Sequence, residues 1–368
     1  MCKLDELIQE YCPDGVEYKP LGEVCEVLDN KRKPVTKASR TEGAYPYYGA
    51  NGIQDYVSEY IFDGTFVLVG EEGSVITKSG TPVVTWATGK IWVYNHAHII
   101  TEKKGLNLRY LFHFIQTIDI TALVHGNIPK LTGGDFKTLQ IPVPPLPVQE
   151  EIVRILDTFT DLTAELTAEL TARRKQYEYY RDSLLTFGDD VERKNLGEIS
   201  TINRGVRVTR DMLSSECIIP VYQNALAPLG YFDKSNRTKD TTFVISAGAA
   251  GQIGYSGIDF WAADDCFTFD NNKDAISKYI FYFLQTKQSY IDSRVRRGSI
   301  PRISRDVFAK LSIPLPSLEK QKHIVAILDR FESLCNDITS GLPAEIEARQ
   351  KQYEYYRDKL LTFKRKEA

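Results

Sequence analysis

The stretch Lys175–Phe187 reads KQYEYYRDSLLTF. It returns at Lys351–Phe363 as KQYEYYRDKLLTF, with Ser183 against Lys359 as the one difference. The offset, from 175 to 351, is 176 residues. Solenoid repeats run to about 20–50 residues, so this period means two domain-sized halves, each ending in the same helical element. The match extends backwards. Ile141-Pro142-Val143-Pro144 answers Ile313-Pro314-Leu315-Pro316. QEEIVRILDTFTDL, from Gln149 to Leu162, answers QKHIVAILDRFESL, from Gln321 to Leu334, at an offset of 172. The second copy therefore holds four more residues between its matching parts, about one helical turn. Each half also opens alike: GVEYKPLGE at Gly15–Glu23 against DVERKNLGE at Asp190–Glu198, at an offset of 175.

The repeated segments read as long helices. Pro142, Pro144, Pro145 and Pro147 stop any strand and lead into the first one. Ile152, Ile155, Phe159, Leu162 and Leu166 are spaced alternately by three and four, the pattern of a coiled-coil seam. Thr163-Ala164-Glu165-Leu166 repeats as Thr167-Ala168-Glu169-Leu170, and Tyr177, Tyr180, Leu184 and Phe187 keep the spacing. From Val148 to Phe187 this predicts roughly 60 Å of helix at about 1.5 Å per residue. In the second helix Gly341-Leu342-Pro343 predicts a break, with Gly341 capping one segment and Pro343 opening the next. Two helices of similar length with apolar seams are expected to pack antiparallel.

The chain has 368 residues, 42% hydrophobic and 26% charged, which predicts globular domains rather than disorder. No apolar run approaches a membrane span, and Met1 to Tyr11 lacks the apolar core of a signal peptide. A cytoplasmic protein is expected. Cys2, Cys12, Cys25, Cys217, Cys266 and Cys335 are scattered without a C-x-x-C pair, so reduced structural thiols are expected. A formal charge of −3 neither supports nor excludes nucleic-acid binding, because local patches outweigh the sum.

Residues 3–11 predict a short helix. Leu21 to about Leu139 reads as β-rich, with strands at Thr65–Gly70, Thr81–Thr85 and Lys90–Tyr94. LRYLFHFIQT at Leu108–Thr117 matches SKYIFYFLQT at Ser277–Thr286, and each predicts a short buried helix. Gly126-Asn127-Ile128-Pro129-Lys130 matches Gly298-Ser299-Ile300-Pro301-Arg302, each in a turn before the closing strand. In the second half strands are expected at Thr242–Ser246 and around Phe267–Phe269, with Gly248, Gly251 and Gly254 in a hairpin region.

Catalytic signatures do not hold. Thr88-Gly89-Lys90 lacks the earlier glycine of a phosphate-binding loop, and the chain has no N-P-P-[YF] methyltransferase tetrapeptide. Glu102-Lys103-Lys104 reads as a solvated turn rather than a nuclease E-x-K. His96 and His98 lack a third metal ligand in sequence and read as alternation along a strand. Basic and amide residues, in contrast, recur at matching points. Lys31, Arg32 and Lys33 follow the first strand region, and Arg204, Arg207 and Arg210 occupy the corresponding loop. Arg294, Arg296, Arg297, Arg302 and Arg305 form a second cluster, answered in the first half by His125 and Lys130. Tyr47, Tyr48 and Asn51 are interleaved in one domain, Tyr222, Gln223 and Asn224 in the other. Arginine and amide side chains read base edges, and Lys and Arg anchor phosphates. Tyr177, Tyr179, Tyr180 and Tyr353, Tyr355, Tyr356 cannot all face one seam. Some are expected to pack on the globular domains and others to form a surface for a partner protein.

With its two IPVP/IPLP-to-QEEIVRILD/QKHIVAILD junctions, its two KQYEYYRD helices and its tandem TAEL units, the whole chain resembles the specificity subunit of type I restriction–modification enzymes, in the subgroup with TAEL spacer repeats. The resemblance implies an α+β fold: two β-rich target recognition domains separated by two long helices packed as an antiparallel coiled coil, a pseudo-twofold tandem duplication. The boundaries expected are 1–145 and 188–316 for the recognition domains, and 146–187 and 317–368 for the spacer helices. It implies a non-catalytic subunit that reads a bipartite double-stranded DNA target and docks two modification (methyltransferase) subunits and restriction (motor-nuclease) subunits. S-adenosylmethionine, ATP and Mg are then used by those partners, with no cofactor or metal bound by this chain. The DNA-binding residues expected are Lys31, Arg32, Lys33, Tyr48, Asn51, Lys130, Arg204, Arg207, Arg210, Gln223, Asn224, Arg296, Arg297 and Arg302. The partner-docking residues expected are Tyr177, Tyr179, Tyr180, Tyr353, Tyr355 and Tyr356. A self-sufficient DNA-modifying or DNA-cleaving enzyme with an unrecognised site is the alternative.

Overall fold

The computed structural model describes residues 3–336 and 340–367. The chain divides into two compact units. Unit 1 is Met1–Leu166 with Ile346–Ala368, and unit 2 is Thr167–Glu345.

Unit 1 is built on strands β1 (Glu26–Val27), β2 (Glu42–Gly49), β3 (Gly52–Val57), β4 (Phe62–Gly70), β5 (Val84–Val93) and β6 (Ala97–Thr101). They form one sheet in the order β1-β6-β4-β5-β2-β3. The sequence reads Thr81–Thr85 and Lys90–Tyr94 as two strands, whereas β5 is a single strand. Gly64 and Gly89 face each other across the β4–β5 ladder with φ of +151° and +79°. Glycine takes such angles at no steric cost, so the ladder runs on through a position that looks like a gap in sequence.

Unit 2 has strands β7 (Thr201–Arg204), β8 (Ile219–Tyr222), β9 (Gly230–Phe232), β10 (Thr241–Ile245), β11 (Ile253–Ser256), β12 (Trp261–Ala262) and β13 (Cys266–Asp270). They form two sheets, β7-β13-β10-β11 and β9-β8-β12. Joining β11 to β12 would reproduce the order of unit 1. The single long strand β5 is thus split in unit 2 around Gly257, and the duplication is otherwise strand for strand.

The repeated prolines close each unit in the same way. Tyr18–Pro20 pairs antiparallel with Gln140–Pro142, and Arg193–Asn195 pairs antiparallel with Ser312–Pro314. Two short helices, α1 (Leu108–Ile115) and the later Ser277–Thr286, sit where the sequence places them. Tyr110 Oη donates to the Pro142 carbonyl at 3.0 Å, and Tyr279 Oη to that of Pro314 at 2.9 Å. Gln149 and Gln321 are fully buried. Their amides donate to Pro144 and Pro316 carbonyls and accept from the Asn107 and Ile276 backbones. A buried amide satisfied on both sides explains the glutamine in the first turn of both repeated helices.

Helix α2 (Leu146–Leu184) is unbroken and begins in unit 1 and ends in unit 2. With Ser277–Thr286 as α3, the second long stretch comprises α4 (Leu318–Asn336) and α5 (Leu342–Leu360), beginning in unit 2 and ending in unit 1. The opposite chain senses are those of an antiparallel pair. The break falls at Leu342, with Pro343 in the first turn of α5. The expected Gly341 cap depends on residues 337–339, which lie outside the described residues, as does Cys2. Cys12, Cys25, Cys217, Cys266 and Cys335 are free thiols. Within unit 1, Phe159 stacks on Tyr356 at 5.3 Å; within unit 2, Tyr180 stacks on Phe331 at 5.4 Å. These are the same pair in the two repeats. The seam read from sequence is one of two apolar faces. Val148, Ile152 and Leu156, four apart, are fully buried in the unit 1 core.

Residues 361–366 complete unit 1. Leu361 is buried in its core. The Val16 amide donates to the Lys364 carbonyl at 2.8 Å, and the Lys366 amide to that of Val16 at 3.0 Å. Gly15, at φ +101°, lies against this segment, and a Cβ there would be 2.6 Å from the Lys364 oxygen.

Candidate nucleic-acid interface

The loops carrying the basic residues are held by one set of backbone bonds in both units. In unit 1, Glu71 N donates to His96 O, Gly73 N to Pro129 O, Leu131 N to Glu71 O and Tyr94 N to Tyr48 O. In unit 2, Ser246 N donates to Asp265 O, Gly248 N to Pro301 O, Ile303 N to Ser246 O and Ala263 N to Tyr222 O. Glu72 bridges Lys130, and Ala247 bridges Arg302. Trp92 Nε1 donates to Lys33 O and Trp261 Nε1 to Val206 O, both at 2.8 Å. The G-x-I-P-[KR] turns are therefore equivalent hairpins, each docked on the end of the central strand, β4 or β10.

In unit 2 the structure brings the expected residues together. Arg204 ends β7, and its Nε donates to the Asp264 carbonyl at 2.6 Å. Arg207 and Arg210 stand exposed in the following loop. Gln223 and Asn224 follow β8, and the Asn224 carbonyl accepts from Ala249 N at 2.9 Å. Gly248, at φ +86°, lies so close that a Cβ would be 2.8 Å from the Asn224 Cβ. Arg296 and Arg302 exchange backbone bonds of 2.8 and 3.1 Å, which places both at the hairpin base. Arg297 lines an open groove of about 640 Å³ with Gly248, Ala249, Gln252, Gln288 and Pro301. Among the described residues, no carboxylate pairs with Arg207, Arg210, Arg296, Arg297 or Arg302 at 4.0 Å or less.

Unit 1 differs. Lys31, Lys33 and Asn51 are exposed, but Tyr48 is buried. Arg32 is turned inward, its side chain 11% exposed. Its guanidinium bonds the Glu71 carboxylate, the Ala97 carbonyl and the Asp29 carbonyl, and lies 3.6 Å from the Asp29 carboxylate. Lys130 pairs with Glu72 at 3.1 Å and Glu71 at 3.9 Å. His98 is fully buried, stacked on Phe136 at 4.3 Å, with its ring nitrogens against Asp29 Oδ2 (2.6 Å) and the Leu131 carbonyl (3.0 Å). Burial pulls the Asp29 carboxyl up, but bonds to His98 and the Ile99 amide, with Arg32 nearby, hold it below its usual value. Asp29, Glu71 and His98 place ligand-type atoms within 4.8 Å of one another. The Arg32 guanidinium supplies positive charge to both carboxylates there. His96 lies in the turn before β6 rather than alternating with His98 along it.

The tyrosines divide. Tyr177 is buried and donates to Gln285 Oε1 at 2.8 Å; Tyr353 bonds His113 Nδ1 at 2.9 Å. Tyr180 and Tyr356 make the stacks described above. Tyr179 and Tyr355 are 70% and 61% exposed. A rotation of about 100° per helical residue imposes this division. Sequence reasoning missed the network behind Tyr353. Buried His113 bridges Tyr353 to Asp157 (Nε2, 2.8 Å), which Arg109 also binds at 2.8 Å. Burial pushes the His113 pKa down. Burial acts to raise Asp157, but His113 and Arg109 outweigh it and hold the carboxyl low. In unit 2, Lys278, Tyr282 and Asp329 occupy the matching places. The signal was a lone histidine within LRYLFHFIQT.

Two copies of one loop-bearing β-rich unit, joined to long repeated helices, make a duplicated α+β protein with arginine and amide side chains at its loop ends. Residues 13–173 and 188–348 each match the family described as Type I restriction modification DNA specificity domain, and the chain belongs to that family. The family is that of a DNA-recognition, non-catalytic targeting subunit. A putative type I restriction enzyme specificity subunit of Haemophilus influenzae is 38% identical, with 95% of this chain and 96% of that protein covered. The type I restriction enzyme EcoR124I/EcoR124II specificity subunit of Escherichia coli is 30% identical, with 96% of each covered. The fold is that of the type I restriction-modification system S subunit from M. genitalium, at a TM-score of 0.68, 18% identity and coverage of 94% and 96%. A chain from a structure of type I R-M complex assembly and conformational transition aligns at a TM-score of 0.54 and 16% identity, covering 95% and 98%. No helix among the described residues is long and apolar enough to cross a membrane.

Proposed function

We propose that this chain reads a bipartite double-stranded DNA target, one half-site per β-rich domain, and docks two modification subunits and the restriction subunits of a type I complex. The carrying observation is the shared backbone frame. The same bonds hold the loops in both units, while the side chains differ: Glu71, Glu72 and Lys130 in one, Ser246, Ala247 and Arg302 in the other. A constant frame with divergent loop chemistry suits two related but unlike ligands. In this reading residues 1–145 and 188–316 are the recognition domains, and 146–187 and 317–368 are the spacer helices. Lys31, Lys33, Asn51, Arg207, Arg210, Gln223, Asn224, Arg296, Arg297 and Arg302 are the DNA contacts. Arg32, Tyr48 and Lys130 support the loops, and Arg204 orients the turn at Asp264. Tyr179 and Tyr355, exposed at equivalent places, present like docking faces to two modification subunits. S-adenosylmethionine, ATP and Mg belong to those partners, and the complex works in the cytoplasm.

Methylome sequencing of cells carrying this gene with its modification partner tests the reading. A methylated motif of two half-sites around a fixed gap is expected. Replacement of residues 188–316 by those of another specificity subunit is expected to change one half-site alone. Methyl transfer by the purified chain without a partner, or a continuous motif, would overturn it.

A further inference from the structure

We propose that the two units hold DNA with unequal electrostatics: unit 2 supplies most of the phosphate-anchoring charge, whereas Arg32 and Lys130 of unit 1 are neutralised within the protein. The proposal rests on the DNA-recognition reading above and assigns its affinity between the domains.

The argument compares equivalent positions. Where unit 1 has Glu71 and Glu72 on the frame, unit 2 has Ser246 and Ala247. At the opening offset of 175, Asp29 in unit 1 corresponds to Arg204 in unit 2. The three carboxylates of unit 1 face inward to cations. Arg32 lies between Asp29 and Glu71, and Lys130 lies between Glu71 and Glu72. These charges cancel over distances far shorter than the roughly 8 Å Debye length of physiological salt, so they add little to the field that a phosphate meets. Unit 2 has Ser246 and Ala247 in place of those carboxylates, and its own acids on this frame, Asp264 and Asp265 (where unit 1 has Asn95 and His96) and Asp292 beside the Arg297 groove, make no ion pair with an arginine among the described residues. Arg302 keeps its place in the hairpin, and among the described residues neither it nor Arg296, Arg297, Arg207 or Arg210 has a carboxylate within 4.0 Å. Asp264 touches this group through its carbonyl, not its carboxylate. Unit 1 retains Lys31 and Lys33 as exposed cations in its first loop, with no ion pair among the described residues. Arg32 is then a positioning residue. It ties that loop to the start of β6 and the end of β4, and so fixes where Lys31 and Lys33 stand.

Each phosphate contact contributes about 0.9 to the slope of log K against log salt. The experiment is fluorescence anisotropy of the full chain with a random-sequence duplex of about 40 base pairs, from about 50 to 300 mM salt. Arg207→Gln/Arg210→Gln/Arg296→Gln/Arg297→Gln is expected to reduce the slope by about three to four, and Lys31→Gln/Lys33→Gln by about two. Lys130→Gln, a change at a half-exposed side chain, is expected to leave the slope unchanged within about 0.5. Arg32→Lys keeps the charge and guards against an unfolded Arg32→Gln. It is expected to weaken binding while leaving the slope intact. A loss near 0.9 for Lys130→Gln, or a smaller total loss from the unit 2 quadruple than from Lys31→Gln/Lys33→Gln, would overturn the asymmetry while leaving DNA recognition standing. A wild-type chain that ignores the duplex at low salt would overturn the recognition reading itself.

Discussion

Leu361→Ala is expected to unfold unit 1 locally, although the residue lies far in sequence from the Met1–Leu166 part of that unit. Leu361 is 3% exposed, in a core with Leu4, Val16, Val148, Ile152 and Leu156. Truncating a buried leucine to alanine costs about 2–5 kcal/mol. The short segment after α5 can settle partly into the space, so the low end, about 2–3 kcal/mol, is expected here. At about 1.4 kcal/mol per tenfold, the open population of unit 1 rises about thirty- to a hundred-and-fortyfold. Hydrogen exchange of the full chain, read by mass spectrometry, reports this by region. Amides of β4 and β6 are expected to exchange faster by that factor, and those of β10 and β13 by less than about twofold. Leu185→Ala, at the matching place and 5% exposed in the unit 2 core, is expected to give the mirror result. Equal acceleration in both units, or acceleration of unit 2 by Leu361→Ala, would refute the assignment of residues 346–368 to unit 1.

Tyr179→Ala/Tyr355→Ala removes two exposed rings and is expected to shift stability by under about 0.5 kcal/mol; native mass spectrometry should show loss of both modification subunits, and intact assembly would clear these residues of docking. His113 titrates below its unfolded value because it is buried. The unfolded state therefore binds more protons as pH falls below about 6.5, and unit 1 should lose stability from pH 7 toward pH 5. His113→Gln should flatten that dependence in thermal melts, and an unchanged slope would place the titration elsewhere. Deleting Thr163–Leu166 takes about 6 Å from the unbroken helix α2. It is expected to shorten the methylated motif's gap by one or two base pairs with both half-sites kept; an unchanged gap in the methylome would exclude a ruler.

The duplication was legible because it survives as identity: KQYEYYRD, the IPVP and IPLP closures and the G-x-I-P-[KR] turns all mark equivalent places. Helix ends followed from proline and glycine, whose backbone limits act locally. Partnerships across long separations were not legible. Arg32 looks like its neighbours Lys31 and Lys33 until Glu71, thirty-nine residues on, is brought against it. His98 looked like strand alternation, and its true neighbours Asp29 and Phe136 lie far before and after it in sequence. Leu156 was missed because a three-four spacing follows only one face of a helix that buries two. The exposed tyrosines could be counted in sequence, but which of them left the seam depended on the phase of the helix against each core.

Unit 2 is one continuous segment, Thr167–Glu345, whereas unit 1 lacks residues 346–368 until the ribosome has translated all of unit 2. At about 5–20 residues per second, that interval is on the order of ten to forty seconds. During it the Leu361 site is vacant and the Val16 strand edge has no partner. Unit 1 begins before unit 2 and is finished after it, which exposes its incomplete core to chaperones and proteases during that interval. A chain that stopped between Glu345 and Leu361 would have a sound unit 2 and a defective unit 1. Quality control in the cell then falls on unit 1.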